Sequence, residues 1–195
     1  GRALLSQDKR EPAMSRFRQA VAQRKTLVEA WLDMIGLEVA AQRLPEAEAL
    51  LAKASAANPD HPRLFEAQAM LLRRSHQLRR AESLLIDLLP RFDDAAWLHY
   101  QLGATVADYD RERANRHLRR AVELEPDNLD HLMALIESLE RTRTGDEGAH
   151  IEEAYQLAQR ALTFKPTRPG HLKVLNEVLI RVCAFDDQAK LGDFK

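Results

Sequence analysis

The sequence predicts an all-α protein, a solenoid of antiparallel helix pairs with about twelve helices, and three observations carry that prediction. The first is a recurring pattern of a small residue, an apolar one four on, a small one three later and a proline five beyond it. It reads Ala114…Leu118…Ala121…Pro126, Ala47…Leu51…Ala54…Pro59 and Ala154…Ala158…Ala161…Pro166. Anchored on Ala13, Ala47, Ala81, Ala114 and Ala154, the spacings are 34, 34, 33 and 40, around the period of stacked helix–turn–helix units. The second is that apolar residues between these anchors fall at i, i+3, i+4 and i+7, one face of a helix. The third is composition: 6% aromatic, seven Gly and eight Pro among 195 residues, with Ala, Leu, Arg and Glu dominant, a helix-former's usage.

The repeats follow in order within one domain, 1–195. Repeat one, 1–27, is incomplete: Gly1 falls within its first helix, so the chain is expected to be part of a longer protein. Its second helix opens at Glu11-Pro12, where proline in the first turn costs no hydrogen bond. Repeat two, 28–61, starts its second helix at Leu44-Pro45-Glu46 and stops at Asn58-Pro59-Asp60-His61-Pro62. Repeat three, 62–94, departs from the pattern, with Leu88 at a small position and Pro90 early, so its second helix is expected to end sooner. Repeat four, 95–128, is one residue short between its helices. Repeat five, 129–168, carries six extra residues, expected as a protruding loop over 141–150 with Gly145 and Gly148. Repeat six, 169–195, holds a first helix through Leu172, Leu175 and Leu179 and a short second one from Phe185.

One hairpin cannot bury its apolar stripe alone; stacking neighbours makes a continuous core. Ala20, Ala54, Ala121 and Ala161 are the small residues expected at the helix seams. The repeat ends should leave apolar surface available for self-association.

The net charge of −1 gives no global reason to expect nucleic acid or an anionic membrane. Arg111, Arg113, Arg116, Arg119 and Arg120 cluster, but acids are interleaved with them. One cysteine, Cys183, excludes an intrachain disulfide and a thiolate-based metal site, and no cofactor is expected. No apolar run approaches the ~18–20 residues of a membrane span, and Gly1–Arg10 has no signal-peptide core; a cytoplasmic location is expected. Seven histidines show no H-x3-H or H-E-x2-H spacing, so no catalytic residue is predicted. The 22 Arg against seven Lys hint at a GC-rich bacterial genome.

The chain resembles the tetratricopeptide repeat (TPR) family over essentially its whole length. That family's first helix, A, reads W-x2-L-G-x2-Y; its second, B, reads A-x3-F-x2-A followed by proline. Helix B matches at Ala13…Phe17…Ala20, at Ala47…Leu51…Ala54…Pro59 and at Ala81…Leu85. Helix A keeps Trp31, the Leu102-Gly103 pair and the apolar spacing Leu132…Leu135-Ile136…Leu139. The resemblance implies a right-handed superhelix whose A helices line a concave face that binds a peptide or protein.

Carried over residue by residue, the groove positions are Leu32, Gly36 and Val39 in repeat two, and Arg63, Glu66, Met70, Arg73 and Arg74 in repeat three. Repeat four supplies Trp97, Tyr100, Gln101, Ala104 and Asp108; repeat five Met133, Glu137, Glu140 and Arg141; repeat six Lys173, Glu177 and Arg181. Trp97 and Tyr100, three apart on one helix face, are the candidate aromatic anchor, unless Trp97 turns instead into the core. Two sharper binding modes of the family are absent. The carboxylate clamp would need basic residues where Trp97 and Gln101 stand. The asparagine ladder of O-linked N-acetylglucosamine transferases would need Asn where Asp33, Ala67, Gln101, Ala134 and Val174 stand. The resemblance thus implies a protein-interaction or scaffold module, or alternatively the non-catalytic TPR segment of a larger glycosyltransferase or sulfotransferase that positions substrate.

Overall fold

The computed structural model describes residues 10–191. Among them are eleven helices and no strand: α1 (Arg10–Gln23), α2 (Val28–Ala40), α3 (Leu44–Ala57), α4 (Pro62–Arg74), α5 (Leu78–Phe92), α6 (Ala96–Val106), α7 (Arg111–Leu124), α8 (Leu129–Glu140), α9 (Glu147–Thr163), α10 (Pro169–Arg181) and α11 (Phe185–Ala189). The chain is an α-solenoid of helix pairs. The expected helix around Gly1 lies outside the described residues. The helices gather into two compact units, one of residues up to Leu84 and one from Leu85.

In the N-terminal unit, α2 packs on α1, α3 and α4. Phe17, Trp31, Met34, Ile35, Leu51, Leu64 and Leu71 form the core. Ala13, Ala47 and Ala54 are fully buried, the small positions that let helices approach, while Ala20 is only partly covered. Trp31 turns into this core and its Nε1–H donates to Lys25 O at 2.8 Å, so the buried indole is satisfied. Pro45 and Pro62 sit in the first turns of α3 and α4.

The turns inside the helix pairs have a common chemistry. Gln42, His76 and Cys183 all take positive φ, 59°, 57° and 56°. In each, two backbone bonds close a Schellman motif, as in Gln42 N–H to Val39 O and Arg43 N–H to Glu38 O at 3.0 and 2.9 Å. The α6–α7 turn lacks that left-handed residue: Ala107 is right-handed helical and Asp110 caps α7 by accepting from Arg113 N–H at 3.0 Å. The residue missing from repeat four is missing from α6, which has 11 residues where α2 and α4 have 13, while the turn itself runs over 107–110.

In the C-terminal unit, α6 to α10 pack in sequence around Leu118, Leu132, Leu135, Ile136, Leu139, Leu175 and Val178. Ala114, Ala121, Ala154, Ala158 and Ala161 are completely buried. Gly103 allows α6 to touch α7: a Cβ there would stand 2.6 Å from Leu118 Cγ and 3.2 Å from Ala114 O.

Two expectations are corrected. Helix α5 does not end early: it runs 15 residues to Phe92 with Pro90 inside it. Pro90 falls in the last turn, where its missing N–H costs only the one bond to Ile86 O and does not end the helix. The 141–150 segment is not a protruding loop. Its second half is the first turn of the 17-residue α9, capped by Asp146, which accepts from Ala149 N–H at 3.0 Å. Its first half is pinned: Thr142 is buried, and Thr144 Oγ1 and His150 Nε2 both meet Glu112 Oε1, at 2.8 and 3.2 Å. The Thr144 hydroxyl, with His150 adding to it, holds the Glu112 carboxyl below its ordinary range.

Candidate functional site

Within the C-terminal unit, three A helices in succession, α6, α8 and α10, frame a groove of about 480 Å³. The helical period aligns its walls. Asp130, Met133, Ala134 and Glu137 lie along one face of α8, with Arg141 at its C-cap; Gly170, Lys173, Val174 and Glu177 lie along one face of α10, with Arg168 at its N-cap. Tyr100 of α6 closes one side, its ring stacked on buried His131 with centroids 4.9 Å apart and an interplanar angle of 29°.

The groove's charges are balanced and mutually engaged. Arg168 pairs with Asp130, and His171 Nε2 stands 3.4 Å from the same carboxylate. Arg141 Nη2 meets Glu137 Oε1 at 2.9 Å, and Lys173 Nζ lies 3.8 Å from Glu177 Oε1. Three acids face three bases, so the groove presents no net field for a polyanion or polycation, and Met133, Ala134 and Val174 leave an apolar strip between them.

The structure brings Tyr100, Met133, Glu137 and Arg141 together on this groove, with Lys173 and Glu177; Met133 reaches it from the core, where it is almost wholly buried. The other sequence candidates lie elsewhere. Trp97 packs edge-on against Phe92, centroids 5.9 Å apart at 60°, because three residues along a helix still leave about 60° of rotation between it and Tyr100. Gln101 is buried inside α6. Asp108 is exposed in the turn after α6, which ends at Val106. Arg181 and Glu140 engage each other, Arg181 Nη1 reaching Glu140 O at 2.8 Å and Oε1 at 3.2 Å. In the N-terminal unit, Met70 packs against the core, Arg73 is half-buried and Arg74 is exposed at the end of α4, where cations offset the helix dipole.

Sequence reasoning missed Asp130, Arg168 and His171, which stand where α8 and α10 begin. The only signal was their position beside the helix starts Asn128 and Pro169. Two arginines of the α7 cluster are engaged by acids: Arg119 forms a bidentate pair with Glu153 at 2.7 and 2.6 Å, and Arg120 meets Asp94 and Glu123. The Glu153 hydrogen bonds raise the Arg119 guanidinium above its ordinary pKa. Among the described residues, no group of three His, Cys, Asp or Glu side chains could hold a metal ion, and no helix is long and apolar enough to cross a membrane.

Successive helix pairs with a groove between their first helices define a helical repeat protein. Residues 4–71 match the sequence model of the tetratricopeptide repeat family. Over those residues the chain is similar to that family by sequence, and its helix pairs as a whole share the fold of solved TPR proteins. PilF of Pseudomonas aeruginosa shares the fold at a TM-score of 0.73 and 13% identity, over 97% of this chain and 84% of PilF. TTC0263, a thermophilic TPR protein of Thermus thermophilus, aligns at 0.71 and 19% identity, over 91% and 94% of the two chains. YrrB, described as a TPR protein with an unusual peptide-binding site, aligns at 0.53 and 17% identity, over 88% and 86%. No curated protein sequence matches the chain.

Proposed function

We propose that this protein is an interaction module that holds a peptide segment of a partner protein in the groove framed by α6, α8 and α10. The observation that supports this reading is the convergence of Tyr100, Met133, Glu137 and Arg141 on one groove of about 480 Å³. These positions correspond to those through which the family's A helices bind, and YrrB, of the same fold, has a peptide-binding site of its own. The groove's chemistry selects among peptides. Its apolar strip takes one apolar side chain, and Tyr100 is a rigid aromatic of the kind that dominates binding energy. Its paired charges favour a segment carrying both signs, which exchanges ion pairs rather than adding uncompensated charge.

The test is a peptide array offered to the wild-type protein and to Tyr100→Ala and Arg141→Glu variants. Binding should fall tenfold or more in each, with helicity by circular dichroism unchanged. Capture of the same peptides at equal affinity by both variants would sink the reading.

A further inference from the structure

A second cavity, of about 590 Å³, lies wholly within the N-terminal unit and away from the groove-facing positions of its A helices. It opens between the C-terminal halves of the B helices α1 and α3, over a floor made by α2. Val21, Trp31, Met34 and Leu50 supply the apolar floor and wall, with Ala22, Ala56 and Ala57 beside them. The polar side chains lining it are Arg18, Lys25 and Lys53, and no carboxylate lines it among the described residues. None of these three cations makes an ion pair with another described residue, although charged residues make up 30% of the chain.

Its hydrogen-bonding character is one-sided. Arg and Lys side chains only donate. The Trp31 indole N–H is already given to Lys25 O, and Asn58 Nδ2 donates to Lys25 O and Ala54 O at 3.2 and 3.0 Å. A peptide laid here would find no lining side chain to accept its backbone N–H groups, each costly to desolvate unpaired. A ligand with an acceptor-only head and a body without polar atoms meets every demand of the cavity.

From this geometry we infer that the cavity binds a single-chain fatty acid, its carboxylate at Arg18, Lys25 and Lys53 and its acyl chain over Trp31 and Met34. Its volume is within the ~300–1,000 Å³ of small-molecule sites, room for one acyl chain but not for a diacyl lipid. This site is independent of the peptide groove: either can fail without the other.

The test is titration with dodecanoate below its micelle-forming concentration, read by Trp31 emission in a Trp97→Phe background and by calorimetry on the unaltered protein. Dodecanoate should bind at one site, with affinity rising by up to about fourfold per added methylene until the cavity fills. Arg18→Glu and Lys53→Glu, both at exposed positions, should each weaken it tenfold or more, while Lys53→Arg retains it. Ala22→Phe should block binding with helicity intact. Three results would overturn the proposal: no saturable binding, equal affinity for dodecyltrimethylammonium or dodecyl maltoside, or affinity unmoved by both charge reversals. Preferential capture of dodecyl phosphate or of an acidic peptide over dodecanoate would equally reject a fatty acid as the occupant.

Discussion

Two glycines in helices show how a single residue's worth depends on its neighbours. Gly36 in α2 has nothing within 4 Å of where a Cβ would stand, so Gly36→Ala should stabilise the protein by roughly 0.5–1 kcal/mol through helix propensity alone. Gly103→Ala gains the same propensity but drives a methyl group to 2.6 Å from Leu118 Cγ in a packed seam, and overpacking of about 1–3 kcal/mol wins. Urea denaturation of the two variants should therefore move in opposite directions. The polar cluster at Asn115 is the other residue-scale feature. Asn115, Thr142 and Ser138 are 0%, 1% and 2% exposed. Asn115 Nδ2 donates to Thr142 Oγ1 at 2.9 Å, Ser138 Oγ donates to Asn115 Oδ1 at 2.6 Å, and Thr142 Oγ1 donates to Ser138 O at 2.8 Å. Asn115→Ala strands the Ser138 hydroxyl and should cost about 1–3 kcal/mol. A loss under about 0.5 kcal/mol in urea denaturation would show that the cluster contributes little.

Between elements, the α6–α7 pair carries a pH dependence. His99 Nε2–H donates to Asp93 O at 2.8 Å, which leaves His99 Nδ1 to accept from His117 Nδ1–H at 3.2 Å. Burial above all, then the charges of His99, Arg113 and Arg116, lowers the His117 pKa to about 4. An unfolded histidine titrates near 6.5, so between about 6.5 and 4 the unfolded chain holds the extra proton. Stability is fully present above about pH 6.5 and falls as pH drops toward 4. His117→Gln should flatten that slope in denaturation followed between about pH 7 and 4; an unchanged slope would place the dependence elsewhere. The α9–α11 contact works through a carboxylate instead. Asp187 accepts from Lys190 at 2.5 Å, Gln159 at 3.2 Å and Tyr155 OH at 3.0 Å, and these bonds hold its carboxyl below the ordinary range.

At the scale of the whole molecule, stability in a repeat fold is distributed rather than pooled. Helix α11 has five residues and no buried side chain, with Phe185 63% exposed and Ile180 beside it on α10 at 49%. Helix α8 is its opposite, with seven of its 12 residues buried. Amide exchange should therefore be fastest in α11 and far slower in α8, and Asp187→Asn should speed α11 further without changing α8. Mass-spectrometric exchange that showed uniform protection across both helices would contradict a distributed fold. The candidate groove lies among α6, α8 and α10, and the apolar cavity lies among α1, α2 and α3. One chain thus offers two surfaces of different chemistry, one donating and accepting, the other donating only.

The all-α class, the helix pairs and the placement of the small residues were determined by the sequence alone, because helical periodicity and a 34-residue period are local properties that one chain displays in full. Even the short spacing before Ala114 has its counterpart, a first helix of 11 residues followed by a turn without a left-handed residue. Part of the candidate groove was legible on the same grounds: Tyr100, Met133, Glu137 and Arg141 follow helix A register. What only the tertiary structure decided depends on which partner a side chain meets. Trp97 turned from Tyr100 toward Phe92, Asp130, Arg168 and His171 joined the groove, and the 141–150 segment was drawn in by buried Thr142 and by Glu112. A rotation of about 60° on a helix separates a groove from a core, and periodicity does not resolve that angle where neighbours compete for the same face.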